Sequence, residues 1–355
     1  MWRQFVLITT FVWLFIFSLV GFTAELTFSQ NARTFETQTQ GLFVKGLAFA
    51  CLNSTQVPDD LPCNPALLTQ LTKESLSLQA LISNGSSNLE KIKKLLNQTS
   101  TQETLDTLFA KERVIQIESS AGLLFRSKYF SAKYLPVDIK GLSIVRNEAN
   151  PDIEFYAVED KGFRIQAAYP FNETFSMGLQ SRITDRKFIR QRFKLTDLAT
   201  PAGKNLLNPK TYSFQTIEPS LSAVVYQPWK VRLSIMYANA GLYSDRYDQI
   251  DLPEETQWGI ALSPELLPWG EFTFSMDYKA LTTEEKDWDK LHYGATYTFG
   301  SMSLSGGIDS HGISSGVFFS IQSLNAGVLY STTKGFNNDS NNYTQTVYVQ
   351  VGWQI

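Results

Sequence analysis

The chain has 355 residues, of which 43% are hydrophobic, 13% aromatic and 18% charged, with a formal net charge of −3. Its mean hydropathy of −0.14 is too polar for a bundle of membrane helices, and the absence of any basic block or stripe argues against nucleic acid as a partner. Two cysteines and two distant histidines (His292 and His311) are too few for a Cys/His metal centre, so neither a metal nor another cofactor is expected.

At the N-terminus, Met1 and Arg3 give a short positive start, residues 5–22 are apolar, and Thr23-Ala24 precedes Glu25. This pattern predicts a secretory signal peptide over residues 1–24. The apolar run is long and Phe22 is a poor residue two places before Ala24, so an uncleaved anchor helix is the alternative. No later segment reaches about 18 consecutive apolar residues, so any further membrane crossing must be made by strands.

Residues 25–72 read as an irregular, plug-like head with Gly41, Gly46, Pro58, Pro62 and Pro65 and only short apolar runs. Cys51 and Cys63 bracket a Pro-containing loop, and in an exported chain this spacing most simply gives a disulfide. Closing so short a loop contributes about 3 kcal/mol where the geometry is unstrained. Strands begin at Lys73, interrupted over residues 86–111, where Leu89, Ile92, Leu95 and Leu96 and then Leu105, Leu108 and Phe109 recur at helical spacing. Ser87 or Asn88 is expected to cap the first helix and Thr101 the second. The result is a helical hairpin between the first two strands, with Lys91, Lys93 and Lys94 on a solvated face. With a periplasmic N-terminus, an insert after the first upward strand is extracellular.

From Arg113 onward strands and turns alternate. Val231, Leu233, Ile235 and Tyr237 share one face. Phe272, Phe274, Met276 and Tyr278 share another, leaving Glu271, Thr273, Ser275, Asp277 and Lys279 opposite. Tyr293, Ala295, Tyr297 and Phe299 likewise oppose His292, Gly294, Thr296 and Thr298. In the last strand Val347, Val349, Val351, Trp353 and Ile355 oppose Thr346, Tyr348, Gln350, Gly352 and Gln354. A soluble sandwich has the same period, with its apolar face inward. Strand number and length favour the other architecture: about fourteen candidates, many of roughly 9–12 residues, match tilted membrane spans. Tight turns (Phe299–Ser301, Ser310–Gly312) alternate with longer polar loops (245–256, 334–343). The fold expected is therefore an all-β transmembrane antiparallel barrel over residues 73–355 in a bacterial outer membrane. Outer-membrane lipid is its surroundings, and the barrel-assembly machinery is its partner during insertion. Glu271, Asp277, Lys279 and His292 are candidate lumen-facing residues.

The head carries G-L-A-F-A at 46–50, Asp59-Asp60, and then Asn64-Pro65-Ala66-Leu67-Leu68. Further on come Leu252-Pro253, W-G-I-A-L-S-P, a strand with the late Asp277, and Y-G-A-T-Y-T-F followed by L-S-G-G-I. In this order the segments resemble the long-chain fatty-acid transporter (FadL-like) superfamily of outer-membrane barrels and its PorV-like relatives. The resemblance covers the head and roughly residues 225–355. It departs from the family pattern in the extra cysteine pair, in the lack of a glycine-dense run in the head, and in Ile355 where a terminal Phe is common. It implies a fourteen-stranded barrel with the head in or below the lumen. It transfers no substrate and no ligand-contacting residue.

No catalytic residue is expected. Asp309-Ser310-His311-Gly312 holds the residue types of a nucleophilic triad, yet neighbours in sequence rarely align as acid, base and nucleophile, and the stretch reads as a hairpin turn. His292 reads as a hydrogen-bonded structural residue facing the lumen. Glu254-Glu255 and Glu284-Glu285 lie in polar loops, and G-x-S-x-G, H-E-x-x-H and phosphate-binding loops are absent from the sequence. The six N-x-[ST] sequons are incidental in a chain rich in Asn, Ser and Thr. The expected function is a channel or transporter for small solutes, hydrophobic ones included. The alternative is a non-transporting barrel that docks protein partners through its loops or the helical insert, and a secreted soluble β-protein is a third reading.

Overall fold

The computed structural model describes residues 41–354 except 56, 58–59, 72–73, 101, 110–112, 147–150, 200–204, 226–228, 245–253, 265–269, 282–285 and 335–342. The expected signal peptide, residues 25–40, Asp59, the Thr101 cap, Glu284-Glu285, most of the two long loops and Ile355 lie outside the described residues.

Alternating apolar and polar side chains build one antiparallel meander. Its strands are β1 (Ser75–Ser83), β2 (Arg113–Arg126), β3 (Phe130–Arg146), β4 (Asp152–Pro170), β5 (Phe175–Lys194), β6 (Lys210–Val225), β7 (Val231–Ala238) and β8 (Ala240–Ser244). They continue as β9 (Glu255–Leu262), β10 (Glu271–Tyr278), β11 (Leu291–Phe299), β12 (Met302–Ile308), β13 (Gly312–Ile321), β14 (Leu324–Lys334) and β15 (Tyr343–Gln354). β15 returns to β1, in register from Ser77↔Gln354 to Ser83↔Tyr348, and β5 pairs with β6. The break between β7 and β8 falls at Asn239, which takes the left-handed conformation (φ 58°) that Asn tolerates better than most residues. β8 runs on along β6 as an extra segment, while β7 pairs with β6 and β9. Fourteen strands thus close the barrel, and at the height of its short strands closure leaves no sheet edge.

The wall is inverted relative to a soluble protein. On β15 Val347, Val349, Val351 and Trp353 are exposed while Thr346, Tyr348 and Gln350 are buried. On β1 Leu76, Leu78 and Ile82 are exposed while Ser75, Ser77 and Ser83 are buried. The same holds on β7, where Leu233, Ile235 and Tyr237 face out and Arg232, Ser234 and Met236 face in. Only lipid outside such a wall makes this arrangement favourable, so the soluble-sandwich reading fails.

Hairpin lengths orient the barrel. Gly300-Ser301, Gln322-Ser323 and residues 171–174 make short connections at the end where the chain finishes. Longer connections, such as residues 84–112 and 279–290, lie at the other end, which is therefore extracellular. The Ser310–Gly312 turn is a correction to simple alternation, because it is tight and yet extracellular. Strand length brings a second correction. β7, β9, β10 and β11 have 8 or 9 residues, but β2 to β6 have 14, 17, 19, 20 and 16. At roughly 3.3 Å per residue, β5 is about twice the length of a tilted membrane span.

That excess length supports the helical insert. α2 (Leu89–Leu96) and α3 (Gln102–Phe109) follow β1, as their apolar spacing suggests. Ile92, Leu95, Leu96, Leu108 and Phe109 bury themselves against Ile115, Ile117, Ile139, Val145, Ile153, Phe155, Ile189 and Phe193. Ile115 and Ile117 alternate with the lumen-facing Gln116 and Glu118, so the hairpin clasps the outer wall of β2 to β5. Phe109 meets Phe155 and Phe193 edge-on, with ring centroids 5.2 and 5.5 Å apart. Asn88 occupies the N-cap position of α2 but makes no side-chain capping bond. Tertiary burial, rather than a cap, holds this short helix.

Candidate functional site

The barrel encloses a polar-lined lumen, and the described residues of 41–71 fill it. Leu42, Phe43, Leu47, Leu52, Leu61, Leu67 and Leu68 are at most 1% exposed. α1 (Leu42–Gly46) packs on β12 to β15, where Phe43 meets Phe318 edge-on at 5.0 Å. Cys51 and Cys63 form the expected disulfide. It ties this upper part of the plug to the lower part carrying Asn64, Pro65 and Ala66.

The Asn-Pro-Ala segment starts a 3-10 turn over Pro65–Gln70, in which the Asn64 side chain accepts from the Ala66 amide at 2.9 Å. Proline tolerates the first position of such a turn because it has no amide hydrogen to satisfy. The turn lies flat on the wall. Ser176 donates to the Ala66 carbonyl at 2.9 Å, and Asn64 Nδ2 donates to the Leu221 carbonyl at 3.3 Å. Gly178 lies directly beneath, where any Cβ would overlap the Ala66 amide. Gly307 plays the same part under Leu47 across the lumen. Both glycines are needed for close approach of two backbones.

Charged and polar wall residues grip the plug from nearly every side. Lys45 pairs with Glu118 on β2 at 2.9 Å, and Lys133 on β3 pairs with Asp60 at 2.8 Å, all four being almost fully buried. Arg126 donates to the Val57 carbonyl at 2.6 Å and Gln166 to the Pro62 carbonyl at 2.8 Å. On β7, Ser234 donates to Asn53 Oδ1 at 2.6 Å. On the short-strand side Asp277 accepts the Leu52 amide at 2.7 Å, and Ser314 accepts the Ala48 amide at 3.2 Å. Buried polar groups in a lumen need partners, and here the plug backbone supplies many of them.

Three of the four residues proposed to face the lumen come together. Lys279 Nζ is 3.9 Å from Asp277 and 3.4 Å from Cys51 Sγ, and His292 is fully buried beside them. The ring nitrogens of His292 lie 2.9 Å from the Ala48 carbonyl and 3.1 Å from the Lys279 carbonyl. Glu271 stands apart at the periplasmic rim, exposed and 3.7 Å from Arg232. Lys45, Glu118, Lys133 and Gln166 carry no sequence motif that marks them as contacts. Asp60 alone belongs to a stretch, Asp59-Asp60, that the family resemblance singles out.

The Asp309–His311 turn makes no catalytic relay. Ser310 Oγ and Asp309 Oδ1 approach the same His311 nitrogen, Nδ1, at 3.0 and 3.9 Å. A base must face its nucleophile and its orienting acid on different nitrogens. Asp309 instead accepts the amides of His311 and Gly312 at 2.8 and 2.9 Å, which closes the turn. Burial alone raises the Asp309 carboxyl, but the His292 hydrogen bond, the His311 and His292 charges and the His311 amide outweigh it and hold the group below its ordinary value. Among the described residues no cluster of three or more His, Cys, Asp or Glu side chains suits a metal ion.

No family model and no curated protein matches the chain. Among solved structures it is similar to the Ralstonia pickettii toluene transporter TbuX (11% identity, TM-score 0.46), covering 87% of this chain and 97% of that one. It is similar to the monoaromatic hydrocarbon channel CymD (10% identity, TM-score 0.43; 82% and 91% covered). The Pseudomonas putida toluene transporter TodX is another (6% identity, TM-score 0.41; 82% and 91% covered). The barrel itself rests on its own strand pairing and inverted wall. The chain is an outer-membrane β-barrel with the architecture that the resemblance to the fatty-acid transporter superfamily implies, fourteen strands closed around an N-terminal plug.

Proposed function

We propose that the protein is an outer-membrane channel closed by its own N-terminal plug, and that it passes small hydrophobic solutes when the plug shifts. The observation that supports this is an apolar patch of lumen wall lying directly beneath the plug helix α1. Beneath α1 the wall presents Leu81, Phe318, Leu329 and Tyr348, packed against Leu42, Phe43, Val44 and Leu47. Moving α1 away uncovers that patch at roughly 25 cal/mol per Å² of apolar surface. An apolar solute that takes the place of α1 removes the penalty, whereas a sugar or an ion does not. A void of about 40 Å³ beside the patch is lined by Phe318, Ala326 and Gly327 together with Asn325, Gln350 and Ser301 of a periplasmic turn. During insertion the amphipathic β15 is the segment for the assembly machinery to handle.

The test is uptake of a labelled small aromatic hydrocarbon by cells with an intact outer membrane. Producing the chain is expected to raise uptake over cells without it. Leu329→Gln is expected to lower uptake of the hydrocarbon more than that of a polar solute of equal size. Uptake equal to that of cells lacking the chain contradicts the reading.

A further inference from the structure

The outer wall of β4 and β5 changes character in successive rungs. Phe163 pairs with Ile183, Lys161 with Asp185, Glu159 with Lys187, and Ala157 with Ile189. The first of these rungs is apolar and exposed, like Ile165, Tyr169, Leu179 and Phe175 nearer the periplasm. The next two are charged. The fourth is apolar again and lies under the helical hairpin. Outward rungs follow each other at about 6.6 Å, so the charged band has the depth of a headgroup layer placed between the lipid-facing belt and the hairpin.

A groove of about 490 Å³ opens at this band, with Lys93 and Asn97 of the hairpin above and Lys161, Lys187 and Ser213 on the wall. Lys187 Nζ donates to Asn97 Oδ1 at 3.0 Å, fixing the hairpin end to the wall. Lys93 is exposed, and the Lys161 side chain is 57% exposed. The two carboxylates in the lining are already engaged, Glu159 with Lys161 at 3.2 Å and Asp185 by a hydrogen bond from Ser213.

We propose that this groove seats the phosphorylated headgroup of an outer-leaflet lipid, whose acyl chains lie along Phe163, Ile165 and Ile183 below. Lys93, Lys161 and Lys187 line one groove, where they outnumber its carboxylates Glu159 and Asp185, and an anion near a membrane surface gains roughly 1 kcal/mol per neighbouring Lys. An amphiphile satisfies the apolar belt and the cationic groove together, which a soluble anion cannot do. The inference rests on the extracellular placement of the hairpin and needs no transport activity.

The experiment is native mass spectrometry of the full chain, purified in detergent and offered a diphosphorylated glycolipid, a phosphatidylcholine or inorganic phosphate. Preferential retention of the glycolipid is expected, with a decrease of about tenfold or more in K93E/K161E/K187E. Lys128→Glu, in a periplasmic turn, is expected to leave retention unchanged. Heat-modifiable migration on a gel reports separately whether each variant is a folded barrel. Equal glycolipid retention by the folded triple variant and the parent would overturn the proposal. So would inorganic phosphate binding as strongly as the glycolipid, or phosphatidylcholine being retained equally well.

Discussion

The two halves of the barrel wall solve different problems. Strands β9 to β12 have 7 to 9 residues and end near the membrane. They alternate cleanly, with lipid on one side and plug on the other. Strands β2 to β6 rise well beyond the membrane, and the raised part of β2 to β5 is covered outside by α2 and α3. There Leu142, Ile144, Tyr156, Val158 and Phe188 form a second apolar cluster on the opposite face. The short sector is thus a lipid-to-lumen partition, and the tall sector is in part a small extracellular domain built on continuations of the same strands. The plug spans the two, held by Asp277, His292 and Ser314 on one side and by Glu118, Lys133 and Gln166 on the other.

The comparison breaks most directly at the hairpin. Phe109→Ala removes a fully buried ring from between Phe155 and Phe193 and is expected to weaken hairpin docking by about 3–5 kcal/mol. Hydrogen exchange should then accelerate over residues 89–109 while β9 to β12 stay protected. Uniform loss of protection would mean that the two sectors fold as one unit. On the tall side of the plug, Lys45→Ala leaves Glu118 buried without its lysine, at a cost of about 3–5 kcal/mol. Lys45→Met with Glu118→Gln should recover most of that loss, as read by protease resistance of residues 41–71.

Cys63→Ser unties the upper and lower parts of the plug and is expected to cost about 3 kcal/mol of plug stability. Its signature is protease cleavage inside residues 51–63 with the barrel still heat-modifiable. The smallest effect is at Asp309. Its carboxyl is depressed in the folded protein, so its contribution is present above the unfolded value and is lost as pH falls through the folded one. Below about pH 4 the β12–β13 turn should therefore loosen. Asp309→Asn should flatten that acid dependence in hydrogen exchange of Ser310–Gly312.

How much was legible follows the same division. The faces of β7, β10, β11 and β15 can be read residue by residue, because lipid and lumen impose opposite chemistry on alternate positions. In the raised part of β3 the pattern is lost. Ile139 and Val145 face the hairpin while Leu142 and Ile144 face inward, so both faces are apolar and period-2 contrast disappears. That is why strands of up to 20 residues are hard to delimit from the sequence. The helices were visible from their spacing, but the side of the wall they cover depends on the parity of Ile115 against Gln116. The lumen-facing polarity of Asp277, Lys279 and His292 was readable. Their partners in the plug were not, since Leu52 and Ala48 contribute only backbone, and Lys45 and Asp60 meet Glu118 and Lys133 across 73 residues of chain.

The central claim, that the plug is the closure of a channel, is tested most directly by solute flux through the full chain when the plug is pushed off its two glycine seats. Gly178→Val and Gly307→Val together place side chains where the Ala66 amide and the Leu47 carbonyl now lie. The account predicts protease-sensitive residues 41–71, an intact heat-modifiable barrel and a clear rise in flux over the parent. Flux unchanged while the plug is demonstrably displaced would contradict it.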